Sequence, residues 1–384
     1  MRILALKTSG LVLPSIHASM VRAFQSLGIE ILDLPIPNGL AELQSLQSLA
    51  RQGYQAIFSI DLGGDHKFIS CLKDLQRSIR IPWIIWFVDD PEGYGFPAAC
   101  APEWTMAFCW DREISKRMSF DPSGKGIPVF HLPLAADPEI FFSEKIESAP
   151  LFPGGVFVGS TCRANGLLRE VARTTPGFFE DLEVLWGFYR KDLKRSPQEL
   201  AWMGIREKTG QKLGLMQADP LCRLWVQAAV HMLGKRKRSD LVSRLIGPRG
   251  GVFGNSDWRA IVGEIYQGPV SYGGDLRKVY NGSAFVLDTR QPQARTGLTQ
   301  RIFDAGACGR PVLAEYSPEI DLLFEPGDEI LSFHSLEHAL ELKNESLGWG
   351  VEANKGAAKI RERVLSRHTY RHRASQILQA LKDR

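Results

Sequence analysis

The chain has 384 residues, with 44% hydrophobic and 23% charged side chains and a formal charge of +4. Those values lie in the ordinary globular range and exclude a disordered tail, a collagen repeat and a coiled-coil rod. The mild basicity suits a small phosphate-bearing ligand and is too weak to point to DNA or RNA, while the length favours two domains.

In chain order, Arg2–Leu6 reads as a strand, followed by the loop Lys7–Pro14 and an amphipathic segment from Ser15 to Leu27. Glu30–Leu34, a Leu-rich helix over Leu40–Gln52, the strand Ala56–Ile60 and a helix over Phe68–Ile79 come next. Trp83–Val88, Met106–Trp110 and Val129–Leu132 complete six apolar runs, each the length of a buried strand. Strands alternating with helices imply a parallel, doubly wound sheet. Leu134–Pro153, with Pro138, several acids and a Pro-Gly-Gly end, reads as a connection between domains. The rhythm restarts at Val156–Val158 and the turn 159–163, and the chain is then helical over Pro176–Ile246. Strands return at Val252–Phe253, Ile265–Tyr266, Phe285–Asp288, Val312–Ala314 and Glu329–Phe333. The expected architecture is α/β: two Rossmann-like domains over 1–137 and 138–365, a helical insertion in the second, and a C-terminal helix (366–384) returning to the first.

The six cysteines are far apart, with no CxxC and no Cys/His spacing for a metal, and read as reduced buried thiols. The apolar start at Met1 is too short for a signal peptide, and no stretch approaches the roughly 20 apolar residues of a membrane span. A cytoplasmic protein is expected.

Four segments carry chemistry. Gly297 precedes a helix whose first amides (Gly297, Leu298, Thr299, Gln300) form an anion site, with Arg301 beside them and Asp304 two turns in. A packed helix with a glycine C-cap explains Gly309 but not this polar set. Gly159-Ser160, with Arg163 close behind, follows the second domain's first strand, where backbone could approach a diphosphate and a guanidinium neutralise it; an ordinary capped turn is the rival. Gly254-Asn255 follows another strand and is equally a mere turn and cap. Asp89–Asp90 end the apolar run Trp83–Val88, where α/β proteins place ligands; paired acids there could orient an acceptor or take its proton, or cap the turn at Pro91. His17 and His66 read as structural, and Lys235–Arg238 as a solvated helix end.

These segments resemble the group 1 glycosyltransferases, in particular the branch named after the spore-maturation protein CgeB. The resemblance runs through Gly297-Leu298-Thr299-Gln300-Arg301-Ile302-Phe303-Asp304, Ala307-Cys308-Gly309 and Phe324-Glu325-Pro326-Gly327-Asp328-Glu329. It extends to Pro82–Pro91, Leu132–Pro138, Phe157–Ser160 with Arg163, and His368-Thr369-Tyr370. It implies a GT-B fold and transfer of a sugar from a nucleoside diphosphate to an acceptor hydroxyl, with the donor in the cleft and held mainly by the second domain. In that picture Asp89, Asp90 and Arg301 are catalytic. The donor is bound by Gly159, Ser160, Arg163, Gly254, Asn255, the base-facing Val270 and Tyr272, Gly297–Gln300 and, at the ribose, Asp304. No metal and no cofactor beyond the donor is implied, a UDP-sugar is favoured, and the acceptor is a glycan, protein or small molecule. Retention of configuration is implied too, although the family's two glutamates eight positions apart are here Thr296 and Asp304. The rivals are a nucleotide-sugar epimerase on the same fold and a binding protein without turnover.

Overall fold

The computed structural model spans residues 1–384 and describes all but 38–39, 63–65, 145–149, 163–165, 211–218, 347–350 and 384. The chain forms two compact units. The first comprises Met1–Ile140, Ala294–Phe303 and Val364–Arg384; the second comprises Phe141–Gln293 and Asp304–Arg363.

The first unit is built on a parallel sheet of β1 (Arg2–Lys7), β2 (Glu30–Pro35), β3 (Ala56–Ile60), β4 (Trp83–Phe87), β5 (Thr105–Cys109) and β6 (Val129–His131), ordered β2-β1-β3-β4-β5-β6. All residues of β3, β4 and β5 are buried, as a parallel sheet covered on both faces requires. The helix α1 (Leu13–Ser26) begins two residues before the amphipathic run suggests, because Pro14 suits the first turn, where no intrahelical amide is needed. α2 (Leu40–Ala50) packs on α3 (His66–Ile79), and α4 (Arg112–Phe120) on β5 and β6. α4 is N-capped by Asp111, whose carboxylate accepts the amides of Glu113 and Ile114. The C-terminal helix, numbered last below, packs on α1: its Arg373 is buried and donates to Pro133 O at 2.7 Å and Leu134 O at 2.9 Å. Ala136 pairs with Thr369 in a parallel bridge.

The second unit holds β7 (Val156–Val158), β8 (Gly251–Phe253), β9 (Tyr266–Gly268), β10 (Val286–Asp288), β11 (Val312–Glu315) and β12 (Leu331–Phe333), all parallel and ordered β12-β11-β10-β7-β8-β9. Between β7 and β8 lies the helical insertion of α5 (Gly166–Thr174), α6 (Phe178–Tyr189), α7 (Pro197–Thr209) and α8 (Pro220–Leu245). Its aromatics Phe178, Trp186 and Trp225 share one core cluster with Phe157, Val252 and Leu287 of the sheet. Later helices are α9 (Trp258–Val262), α10 (Gly274–Asn281), α11 (Gln300–Ala307), α12 (Pro318–Leu323), α13 (Leu336–Ser346), α14 (Val351–Arg367) and α15 (Tyr370–Lys382).

One expectation is overturned. Lys235–Arg238 is not a solvated helix end: α8 runs seven residues further, and both Lys237 and Arg238 are buried. They are tolerated there because each has partners. Lys237 Nζ lies 2.7 Å from Glu315 Oε2, and Arg290 reaches Glu315 Oε1 at 3.1 Å. A buried charge persists only when paired and hydrogen-bonded in this way.

Candidate functional site

In open α/β sheets, ligands bind beyond the carboxyl ends of the strands, where the strand order reverses. In the second unit that point lies between β7 and β10, which pair at Val156 and Val286. The segments leaving these strands are Gly159–Cys162 and Thr289–Gln291. Arg238, 0% exposed, joins them: Nη1 donates to Ser160 O at 2.8 Å, and Nε to Thr289 Oγ1 at 2.9 Å. Its Nη2 reaches Thr289 O, Arg290 O and Gln291 Oε1 at 3.2–3.3 Å. A planar guanidinium suits this task, because its donors point in fixed directions.

The segment after β8 is sewn to the same place. Gly254, at φ +153°, approaches so closely that a Cβ there would lie 2.1 Å from Gly159 O. Asn255 Oδ1 accepts Thr161 N at 2.9 Å and its Nδ2 donates to Thr161 Oγ1 at 3.1 Å, while Trp258 Nε1 donates to Gly159 O at 2.7 Å. Gly159 N donates to Phe253 O. The amide of Gly159, which the sequence offers to a diphosphate, is therefore used to join loops, as is that of Thr161. Ser160 remains exposed. Val270 is half-buried, and so is Tyr272, whose ring meets Phe141 edge-on at 5.2 Å. Arg163 lies outside the described residues.

The Gly297 segment belongs to the first unit, and the division between units falls inside α11, after Phe303. Here the sequence offers free amides to an anion, and the structure supplies the anion from within the chain. Asp111 Oδ2 accepts the amides of Arg295, Thr296 and Gly297, each at 2.7 Å. Its Oδ1 accepts Thr296 Oγ1, Glu113 N and Ile114 N, each at 3.0 Å. Gly297 is required for contact with this residue's strand end: a Cβ would stand 2.5 Å from Trp110 Nε1. The departure at 296 acquires a reason, since a glutamate in place of Thr296 would bring a second carboxylate against Asp111. Leu298 is buried, Thr299 is half-buried, and Gln300 Nε2 donates to Ala135 O at 2.6 Å. Arg301 is 8% exposed and Asp304 1% exposed, so the acid assigned to the ribose is sequestered in this conformation.

Asp89 is exposed and its Oδ1 accepts Asp90 N at 2.8 Å, just before the short turn Pro91–Tyr94. The structure adds a third acid from the neighbouring strand end, Asp61. Its residue has φ +52°, its side chain is fully buried, and Oδ1 accepts the amides of Val88 at 2.9 Å and Asp89 at 3.3 Å. Burial pushes its carboxyl up to about 7, against the pull of the Val88 amide and with a push from Asp89. Among the described residues, no three His, Cys, Asp or Glu side chains gather as a metal site. Sequence reasoning missed Asp61 and Asp111. Asp111 was visible as an acid before a helical run; Asp61 carried no signal beyond its place after an apolar strand. His17, as read, is structural, with Nε2 2.7 Å from Asp33 Oδ1.

Residues 227–379 match the family model described as glycosyl transferase-like. Among solved structures, the chain is similar to Anabaena HepE in complex with UDP and glucose (TM-score 0.55, 13% identity, 100% of each chain covered). It is similar to an alpha-glucosyltransferase in complex with UDP (0.59, 11%, covering 100% of this chain and 99% of that one). It also resembles the sucrose-phosphate synthase of Thermosynechococcus elongatus (0.55, 10%, 100% and 98%). No curated protein matches by sequence. The two six-stranded parallel sheets with their helices are thus the GT-B fold. No helix among the described residues is long and apolar enough to cross a membrane.

Proposed function

We propose that the chain is a glycosyltransferase that transfers a sugar from a nucleoside diphosphate, with UDP favoured, to an acceptor hydroxyl, a reading supported by the match of residues 227–379 to a glycosyl transferase-like model and by the GT-B fold. The observation that carries this reading is the switch point of the second unit. Three loops from β7, β8 and β10 are fixed there around Arg238, Asn255 and Trp258, the rigid support a bound nucleotide needs. Supporting it, HepE and the alpha-glucosyltransferase were solved with UDP. The diphosphate is proposed to be neutralised by protein groups without a metal ion. Membership of the CgeB-like branch and retention of configuration rest on the motif resemblance; retention loses part of its support at Thr296, which offers no carboxylate.

A panel of nucleotide sugars incubated with the full chain and simple glycosides, read by mass spectrometry and NMR, tests the proposal. Release of nucleoside diphosphate with a new glycosidic bond supports it. Epimerised donor identifies an epimerase, and bound but unchanged donor a binding protein.

A further inference from the structure

Two half-buried arginines of the second unit have no counter-charge. Arg310 follows the glycine turn after α11, two residues before β11, and Arg361 lies on α14. Gly309, at φ +65°, brings that turn against the helix: a Cβ there would lie 3.2 Å from Arg361 Cδ and 3.8 Å from Ser143 Oγ. Arg310, Arg361 and Ser143 are therefore gathered around one turn, and all three belong to the second unit. The Nε of each arginine is shut off from solvent without a hydrogen-bond partner among the described residues, and neither guanidinium forms an ion pair there. The cations around them are neutralised. On α14 itself, Lys359 pairs with Asp328, and Arg363 pairs with Glu329 at 3.0 Å and Glu325 at 3.1 Å. Arg277 on α10 pairs with Glu144, the residue after Ser143, at 2.8 Å. Withdrawing a charge from water without a partner is costly, and a buried donor is normally satisfied. Burial accordingly holds Arg310 below the usual arginine range. The neighbouring Cys308 thiol is pushed up by burial and by Asp304, and pulled down by Arg310 and Arg277. The sheet is parallel, so Arg310, before the amino end of β11, lies on the opposite side from Gly159–Cys162 and Thr289–Gln291, which leave carboxyl ends.

We propose that Arg310 and Arg361, with the Ser143 hydroxyl beside them, bind a phosphate dianion, free or as the phosphate group of a small ester, at the amino-end side of the second unit's sheet. Two guanidiniums match the charge of a dianion, whereas a carboxylate would leave one of them uncompensated. Each guanidinium can offer Nε and Nη as a fork to two phosphate oxygens, and the Nε atoms are the donors now unpaired. The ligand is an effector, because it lies away from the strand ends that carry the proposed donor site. No donor contact enters the inference, so it stands apart from the glycosyltransferase reading.

Calorimetry on the full chain tests this, with inorganic phosphate and phenyl phosphate as probes at about pH 8, where both are dianions, in chloride buffer of constant ionic strength. The wild type should bind with a Kd of about 1 mM or tighter, and phosphate should raise its melting temperature where added chloride does not. Arg310→Gln and Arg361→Gln should each weaken binding at least about tenfold, and Arg310→Lys less, since it keeps the charge and loses the fork. In phosphate-free buffer both Gln variants should melt no lower than the wild type, because each removes an uncompensated charge. Their UDP affinity should stay within about twofold of the wild type, as distant sites require. Tighter binding of phenyl phosphate assigns the site to an ester and tighter binding of phosphate to the free ion; both support it. No phosphate binding by the wild type, equal affinity in both Gln variants, or phosphate displaced by UDP would overturn the proposal. So would Gln variants that melt well below the wild type without phosphate, which would make the guanidiniums structural. A wild type that binds phosphate as described but no UDP contradicts the donor reading alone.

Discussion

The Asp111 carboxylate accepts the amide of Gly297 at 2.7 Å, and with it those of Arg295 and Thr296. A segment with the composition of an external anion site is thereby organised by an internal anion at the end of β5. The same carboxylate caps α4, so one fully buried side chain fixes both the start of α4 and the loop Arg295–Gly297 that leads into α11.

Removing it leaves the buried amides of Gly297 and Ile114, and the part-buried ones of Arg295 and Thr296, without this acceptor. Asp111→Ala is expected to lose about 3 kcal/mol or more of stability, since each orphaned group costs about 1–3 kcal/mol. Asp111→Asn should lose less, because its oxygen still accepts. Thr296→Glu, which makes the position match the family's pattern, should destabilise through like-charge contact with Asp111 and should not raise turnover. Urea unfolding of the three variants checks all of this; a stable Asp111→Ala protein would contradict it.

Glu315 gives a pH prediction. Burial alone would raise its carboxyl, but Lys237 and Arg290 outweigh burial and hold it below the usual glutamate value. A lowered folded value means that the ionised pair stabilises the fold at neutral pH, and that this contribution is lost as the solution is acidified below the ordinary range for Glu. Lys237→Met leaves Glu315 short of a buried partner and should cost about 3–5 kcal/mol at pH 7, with a smaller penalty at pH 4. Unfolding free energies at the two pH values provide the check; a penalty independent of pH would oppose the assignment.

Arg238→Lys tests the support of the second unit's switch point. One ammonium has three donors, and cannot reproduce the fork that serves Ser160, Thr289, Arg290 and Gln291 together. The expected result is a loss of about 2–3 kcal/mol in stability and at least a tenfold fall in nucleotide affinity. Calorimetry with UDP, beside a thermal melt, measures both.

The fold was legible because apolar runs such as Trp83–Phe87 and Ala56–Ile60 can be buried on both faces only in a covered parallel sheet. The helical insertion was legible from its recurring Trp and Leu. The polar interior was not. Lys237 and Arg238 look solvated in a sequence because their partners, Glu315 and Thr289–Gln291, lie 51–78 residues away. Asp111 meets Gly297 across 186 residues, and no local pattern marks that pairing. The resemblance places Gly254 and Gly297 against the donor, yet in the structure they make room for Gly159 and Trp110. Close backbone approach and ligand approach select the same residue, and only the tertiary structure separates them.

Asp61 makes a thermodynamic prediction that needs no substrate. Its carboxyl titrates near 7 in the fold and near 3.8 when exposed, so between these values the folded state binds more protons than the unfolded one. Stability attributable to this residue therefore falls as pH rises through that window and stays low above it. Asn does not ionise. The stability of Asp61→Asn relative to wild type should grow from pH 4 to pH 7, by up to about 1.4 kcal/mol per pH unit. A constant difference would show that Asp61 is not held as described.

The central claim is that the second unit holds a nucleoside diphosphate at its switch point, and hydrogen exchange of the full chain with and without UDP tests it most directly. The account predicts slowed exchange at Ser160–Cys162, Gly254–Trp258 and Thr289–Gln291, undiminished when divalent cations are chelated. Binding of UDP with no protection in these three loops, or binding lost on chelation, would contradict it.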